Sequence, residues 1–196
     1  VKLRLVGQQE VSGLGSGQIY VVDLAPKYWE AEVNFINMEN ADARKIQGII
    51  ESLDEGMNDF YWFDPRSEYP IADPTGSILG ASNPKIDALR NNNKELGIKS
   101  LPNGYVLSAG DFLSFDFGSA PVHRAFHRIV EGGVATGGTT GWLEVRPHIR
   151  PGAAVNADVT LKRASMQMKM IPGSFDPGTA RQMMTTGMSF KARQVI

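Results

Sequence analysis

Trp29-Glu30-Ala31-Glu32-Val33-Asn34-Phe35 opens the stretch on which the fold turns. It continues as Ala41-Asp42-Ala43-Arg44-Lys45-Ile46-Gln47-Gly48-Ile49-Ile50-Glu51-Ser52-Leu53 and closes as Phe60-Tyr61-Trp62-Phe63-Asp64-Pro65. Trp29, Ala31, Val33 and Phe35 alternate with Glu30, Glu32 and Asn34, the period of a strand with one buried face. Ala43, Ile46, Ile49 or Ile50, and Leu53 recur at spacings of three and four, which predicts an amphipathic helix over 41–55. Asn40 is placed to cap its N-terminus, Asp42 to complement the dipole, and Gly56 to turn the chain out. About fifteen residues at 1.5 Å each give a helix of roughly 22 Å, enough to cross a small sheet. The aromatic run Phe60–Phe63 reads as the next strand, stopped by Asp64-Pro65, with two of its four rings turned inward.

Outward from this strand–helix–strand unit the chain reads as strands and turns. Val1–Gly7 alternates and predicts a strand, whereas Gln8–Gln18, with Gly13, Gly15 and Gly17, reads as a loop. The glycine run is not a phosphate cradle, because strand-like Ile19–Leu24 follows where a nucleotide fingerprint needs a helix. Arg66–Asn103 is broken by Pro70, Pro74, Gly76, Gly80, Pro84, Gly97 and Pro102 and reads as a surface segment with one or two short strands. Strand patterns return at Tyr105–Leu107, Phe112–Phe117, Val122–Val130 and Trp142–Val145, joined by glycine turns, as in a small barrel or sandwich. Arg150-Pro151-Gly152 forms a hinge. After it, Met166, Met168 and Met170 alternate with Gln167 and Lys169, either as an inner strand face or as an adaptable contact surface. The fold expected is mainly β: a sheet base from 1–65 and 151–196, one covering helix at 41–55, and a loop-rich, barrel-like β insertion over 66–150.

Composition narrows the function classes. Of the 196 residues, 42% are hydrophobic and 21% charged, with a net charge of -1, so no bulk field draws the chain to nucleic acid or to an anionic membrane. No cysteine is present, which removes disulfides, thiolate catalysis and cysteine-ligated metals and suits synthesis in a reducing cytoplasm. No apolar run approaches the ~20 residues of a membrane span, and Val1–Gly7 is too short for a signal peptide.

The residues that carry chemistry elsewhere do not assemble here. His123 and His127 are four apart, a metal pair on a helix, but in a strand they sit roughly 13 Å apart along one face. His148 adds no third ligand. Glu30 and Glu32 resemble paired glycosidase carboxylates, yet a polar strand face places them identically. Asp111 and Asp116 flank an apolar strand and suit a turn and an exposed face. No Gly-x-Ser-x-Gly elbow and no phosphate-binding loop occurs. No residue is assigned a catalytic, cofactor or metal role, and a non-enzyme is expected.

Taken in order, Trp29-x-Ala31-x-Val33, the helix with its glycine turn, Phe60–Pro65, Leu107-Ser108-Ala109-Gly110-Asp111-Phe112-Leu113 and Val145-Arg146-Pro147-His148-Ile149-Arg150-Pro151 resemble the minor tail proteins of long-tailed (siphovirus-type) bacteriophages, notably distal tail proteins. The likeness covers about 25–165 of the numbering; the glycine-rich Gln8–Gln18 and proline-rich Pro172–Gly187 depart from it. It implies a structural virion protein made in the host cytoplasm. Such a protein forms a ring, usually a homohexamer, at the distal end of the tail tube and joins tube to tail-tip or baseplate hub around the DNA channel. Tube, hub and tape-measure proteins are the implied partners, with no cofactor and no sequence-specific nucleic-acid binding. A carbohydrate-binding β domain used in host recognition is the alternative. In a ring subunit, the first and last strands and the glycine- or proline-rich loops are expected at subunit contacts.

Overall fold

In the computed structural model, which describes residues 1–196, the chain begins with two long strands, β1 (Lys2–Gly13) and β2 (Ile19–Asn34), paired antiparallel. A short β3 (Met38–Glu39) leads into α1 (Asn40–Glu51), a 3-10 turn (Asp54–Gly56) and β4 (Phe60–Phe63). Then come β5 (Lys85–Leu89), β6 (Glu95–Lys99), β7 (Val106–Leu107), β8 (Phe112–Phe117), β9 (His123–Glu131), β10 (Gly133–Val134), β11 (Leu143–Arg146) and β12 (Val159–Thr160). The chain ends with β13 (Ser165–Met170), β14 (Thr179–Arg181), β15 (Met184–Thr186) and β16 (Ser189–Gln194). It divides into two compact units, 1–60 with 167–195, and 61–166 with Ile196. The fold is mainly β with one α-helix and a barrel-like insertion.

The first unit contains β1, β2, β16 and most of β13 of the sheet ordered β1-β2-β16-β13-β4. Alternation decides its faces: Trp29, Ala31 and Val33 of β2, Phe190 and Ala192 of β16, and Met168 and Met170 of β13 are buried. The methionine stripe is therefore an inner face. On the opposite face, register sets Lys2 beside Glu32 beside Lys191, and Arg4 beside Glu30 beside Arg193, so each glutamate lies between two cations. Arg4 reaches Glu30 at 3.0 Å and Lys2 reaches Glu32 at 3.6 Å, which ties both carboxylates into cross-strand pairs. α1 turns Ala43 and Ile50 inward while Ile49 stays exposed, which resolves the choice between the two adjacent isoleucines.

The helix is shorter than the spacing predicts. It ends at Glu51, and Asp54, Glu55 and Gly56 all take positive φ before the chain reaches β4. Glu39, not Asn40, occupies the N-cap. Asn40 is the first helical residue, and its side chain is drawn away by the Gln182 carbonyl and the Thr185 hydroxyl, both at 2.8 Å. Of the β4 aromatics, Phe60 packs edge-on to Phe190 with centroids 6.1 Å apart, Trp62 and Phe63 are half-buried, and Tyr61 is exposed.

The second unit is a six-stranded antiparallel sheet, β12-β8-β9-β11-β6-β5, that curls until its outer strands nearly meet. Ile86 N donates to the Ala157 carbonyl at 2.9 Å, Val159 N to Pro84 at 2.8 Å and Asn156 N to Ile86 at 2.8 Å, which joins β5 to the β12 segment. Ile86, Leu96, Ile98, Leu113, Leu143 and Val145 fill the interior. The insertion therefore begins at Tyr61 and runs to Met166 rather than over 66–150, because β12 is needed to bring the edges together. The asparagine run Asn91–Asn93, which suggests an exposed loop, is the exposed turn of the hairpin formed by β5 and β6.

Buried carboxylates pin the irregular segment between β4 and β5. Asp73 accepts from the amides of Ile78 and Leu79, and Asp111 from those of Ile71 and Ser108, at 2.7–3.1 Å. Burial pushes the Asp111 carboxyl up, against those two amides. For Asp73 burial acts in the same direction but is overcome by the two amides and the Tyr105 hydroxyl, which hold the group below its usual range.

Candidate functional site

The chemistry-bearing residues occupy structural positions. His127 is buried in β9, its Nδ1 2.8 Å from the Pro147 carbonyl and its ring stacked on Phe115; Nε2 is buried without a hydrogen-bond partner. His123, half-buried, lies against Phe117. Asp116 pairs with Arg124 at 2.9 Å and Asp111 serves its turn. No group of three or more His, Cys, Asp or Glu is arranged to hold a metal ion, and no helix is long and apolar enough to cross a membrane. The exposed aromatics Tyr20 of β2, Tyr61 of β4 and Trp142, just before β11, come from three separate parts of the chain, and Trp142 has the Arg90 guanidinium 4.9 Å from its ring centroid.

His127 gives a pH test of the barrel. Burial pushes its imidazole down to about 4; the Pro147 carbonyl opposes this and Arg150 adds to it. The unfolded imidazole titrates near 6.5, so the folded state is favoured above that value and loses stability as pH falls from about 6.5 to about 4. The loss is on the order of 3 kcal/mol. Asp111 has the opposite sign, since a raised carboxyl gains stability on protonation. The difference between wild type and His127→Gln therefore isolates the histidine. Thermal unfolding from pH 7.5 to 4.5 should show a steeper fall for wild type, and parallel curves would refute the assignment.

The feature that does stand out is the distal part of the first hairpin, Gln8–Ala25. Expected as a loop over Gln8–Gln18, it is instead a continuous two-stranded arm: Gln8 pairs with Ala25, Gln9 with Asp23, and so on to Gly13 with Ile19. Leu14 N donates to Gln18 O and Gly17 N to Leu14 O, both at 2.9 Å, closing a tight tip in which Gly17 takes φ +85°. Register shifts on either side of Gln8 mark its base, where irregular pairing bends a ribbon.

β16 pairs with β2 only over Glu30–Asn34, so about ten residues of β2, roughly 33 Å, run beyond the body of the sheet. Residues directly opposite in an antiparallel pair share a face. Val11, Val21 and Ile19 therefore lie on one face of the arm, and Tyr20 and Val22 on the other. Together with Leu14 and Leu24 these side chains are 50–65% exposed. A ribbon apolar on both faces has no interior of its own, and an isolated hairpin is marginal in water. Its edges are also open: β1 is terminal in the sheet, and β2 from Ile19 to Ala25 has only β1 beside it. Monomeric proteins blunt such edges with lysine or proline. Residues 8–25 contain neither, nor any arginine, and their only charges are Glu10 and Asp23.

No known protein family and no curated protein matches the chain.

Proposed function

We propose that the protein is a structural, non-enzymatic subunit of a long-tailed bacteriophage tail. It assembles as a ring, hexameric by the resemblance, at the distal end of the tail tube and joins the tube to the tip or hub proteins. The observation that supports assembly is the arm: seven large apolar side chains on a two-faced ribbon with open edges, a feature that favours being covered. The order of motifs from Trp29 to Pro151 supports the tail as its setting. In this reading the charged outer sheet face, with alternating Lys2, Glu32 and Lys191, stays solvated while the arm supplies the contact.

Mass photometry of the purified protein across a concentration series, with negative-stain imaging, tests this directly. Ring-shaped particles of about six subunits are expected to appear as concentration rises. A particle that stays monomeric throughout, alone and with tail tube protein added, would overturn the reading.

A further inference from the structure

We propose that the arm of one copy adds as a strand to β14 of the next, over the groove between α1 and the β14–β15 hairpin. The inference rests on the assembly reading and names the surface the arm meets. β14 is the outer strand of the small sheet β14-β15-β3: Thr179–Arg181 pair with Met184–Thr186 on one side and with no strand on the other. All three β14 residues are exposed. An open edge of this kind accepts an extended segment through main-chain hydrogen bonds, and adjoining pockets take alternate side chains. The Ile19–Leu24 edge of β2 is the complementary feature, six residues with only β1 beside them.

The groove runs along the hairpin face that Ala180 of β14 shares with its partner Thr185 of β15, against α1. Its volume is about 420 Å³, and Asn40, Ala43, Arg44, Ala180, Thr185 and Met188 contribute to its walls. Ala43 and Met188 are buried and give it an apolar floor. Arg44 and Arg181 form none of the protein's ion pairs. The arm offers the matching sign, with Glu10 and Asp23 and no basic residue. Open edge meets open edge, apolar side chains meet an apolar floor, and carboxylates meet unpaired guanidinium groups. Arm and β14 are different patches, so the contact is head-to-tail and repeats from copy to copy until it closes, as a ring requires. Arm-to-arm pairing would stop at a dimer.

The absence of cysteine makes the contact testable by a unique disulfide. Val21→Cys and Ala180→Cys lie at exposed positions, so neither substitution disturbs the core. The two single variants are mixed in equal amounts, oxidised mildly, and their disulfides identified by peptide mass. The expected product is the mixed Val21→Cys–Ala180→Cys disulfide, at least about tenfold over either homodisulfide because assembly raises the effective concentration of that pair. Arg44→Glu in the Ala180→Cys partner should lower its yield. Predominance of the Val21→Cys homodisulfide, or rings without the mixed disulfide, would overturn this contact and leave the assembly reading standing. Failure of the wild-type protein to oligomerise would overturn both.

Discussion

Gly56→Ala is expected to destabilise the first unit by on the order of 3–5 kcal/mol, a large fraction of a domain's usual stability of about 5–15 kcal/mol. Two costs combine. Gly56 sits at φ +96°, where an L side chain is disfavoured by about 1–2 kcal/mol. A Cβ there would also overlap the Met170 carbonyl oxygen, a backbone atom that cannot swing aside. Met170 pairs with Ala192, so moving it strains the β13–β16 ladder beneath buried Met168 and Phe190. Asp54 and Glu55 already hold left-handed conformations and have little freedom to absorb the shift. Gly48→Ala is the internal control. Gly48 lies in α1 with nothing within 4 Å of its added Cβ, so the same substitution should stabilise by about 0.5–1 kcal/mol. Denaturant midpoints compare the two, and equal effects would show that the Gly56 contact carries no weight.

Replacing Gln9–Asp23 with an Asn-Gly turn is expected to leave the fold intact and abolish assembly. The shortened hairpin keeps every pairing between β2 and β16 and every buried residue of the first unit, because none of the deleted positions is buried. Unfolding midpoints should therefore stay within about 1 kcal/mol of wild type. Assembly should weaken at least about 1000-fold, some 4 kcal/mol, since the deletion removes apolar anchors of the kind that dominate interfaces. Analytical ultracentrifugation over a concentration series measures this. If the shortened protein forms the same particles as wild type, the arm is not the contact.

Much of the fold was legible because burial leaves a period in the residues. Trp29, Ala31 and Val33 face inward as their alternation requires, and the barrel strands sit where Phe112–Phe117 and Trp142–Val145 place them. The arm was not legible in the same way. With no buried face, its strands carry no alternation: Ile19–Leu24 is nearly all apolar, while Gln8–Ser12 opposite is largely polar and runs into three spaced glycines. The usable signal was the equal length of the two segments about a glycine-rich tip. Barrel closure was hidden for another reason. β12 has only two residues and follows the Arg150-Pro151-Gly152 hinge, so its place beside β8 is set by non-local contacts with no local pattern. For His127 the strand period argued against a shared metal with His123, but its depth and its bond to Pro147 have no local signature in the residues.

The arm also divides the chain by the kind of evolutionary pressure each part experiences. Core positions such as Trp29 or Leu143 are constrained by neighbours in the same molecule, and change there is limited by folding. Residues 9–24 are held by little beyond their own hairpin, so under the proposed assembly drift among them is bounded mainly by the surface they would meet. If that surface belongs to the same gene product, a lost contact in the arm can be restored by a second-site change near Arg44 or Arg181. One reading frame then carries both the lesion and its suppressor, and lineages can diverge in how they assemble while the two folded units stay the same.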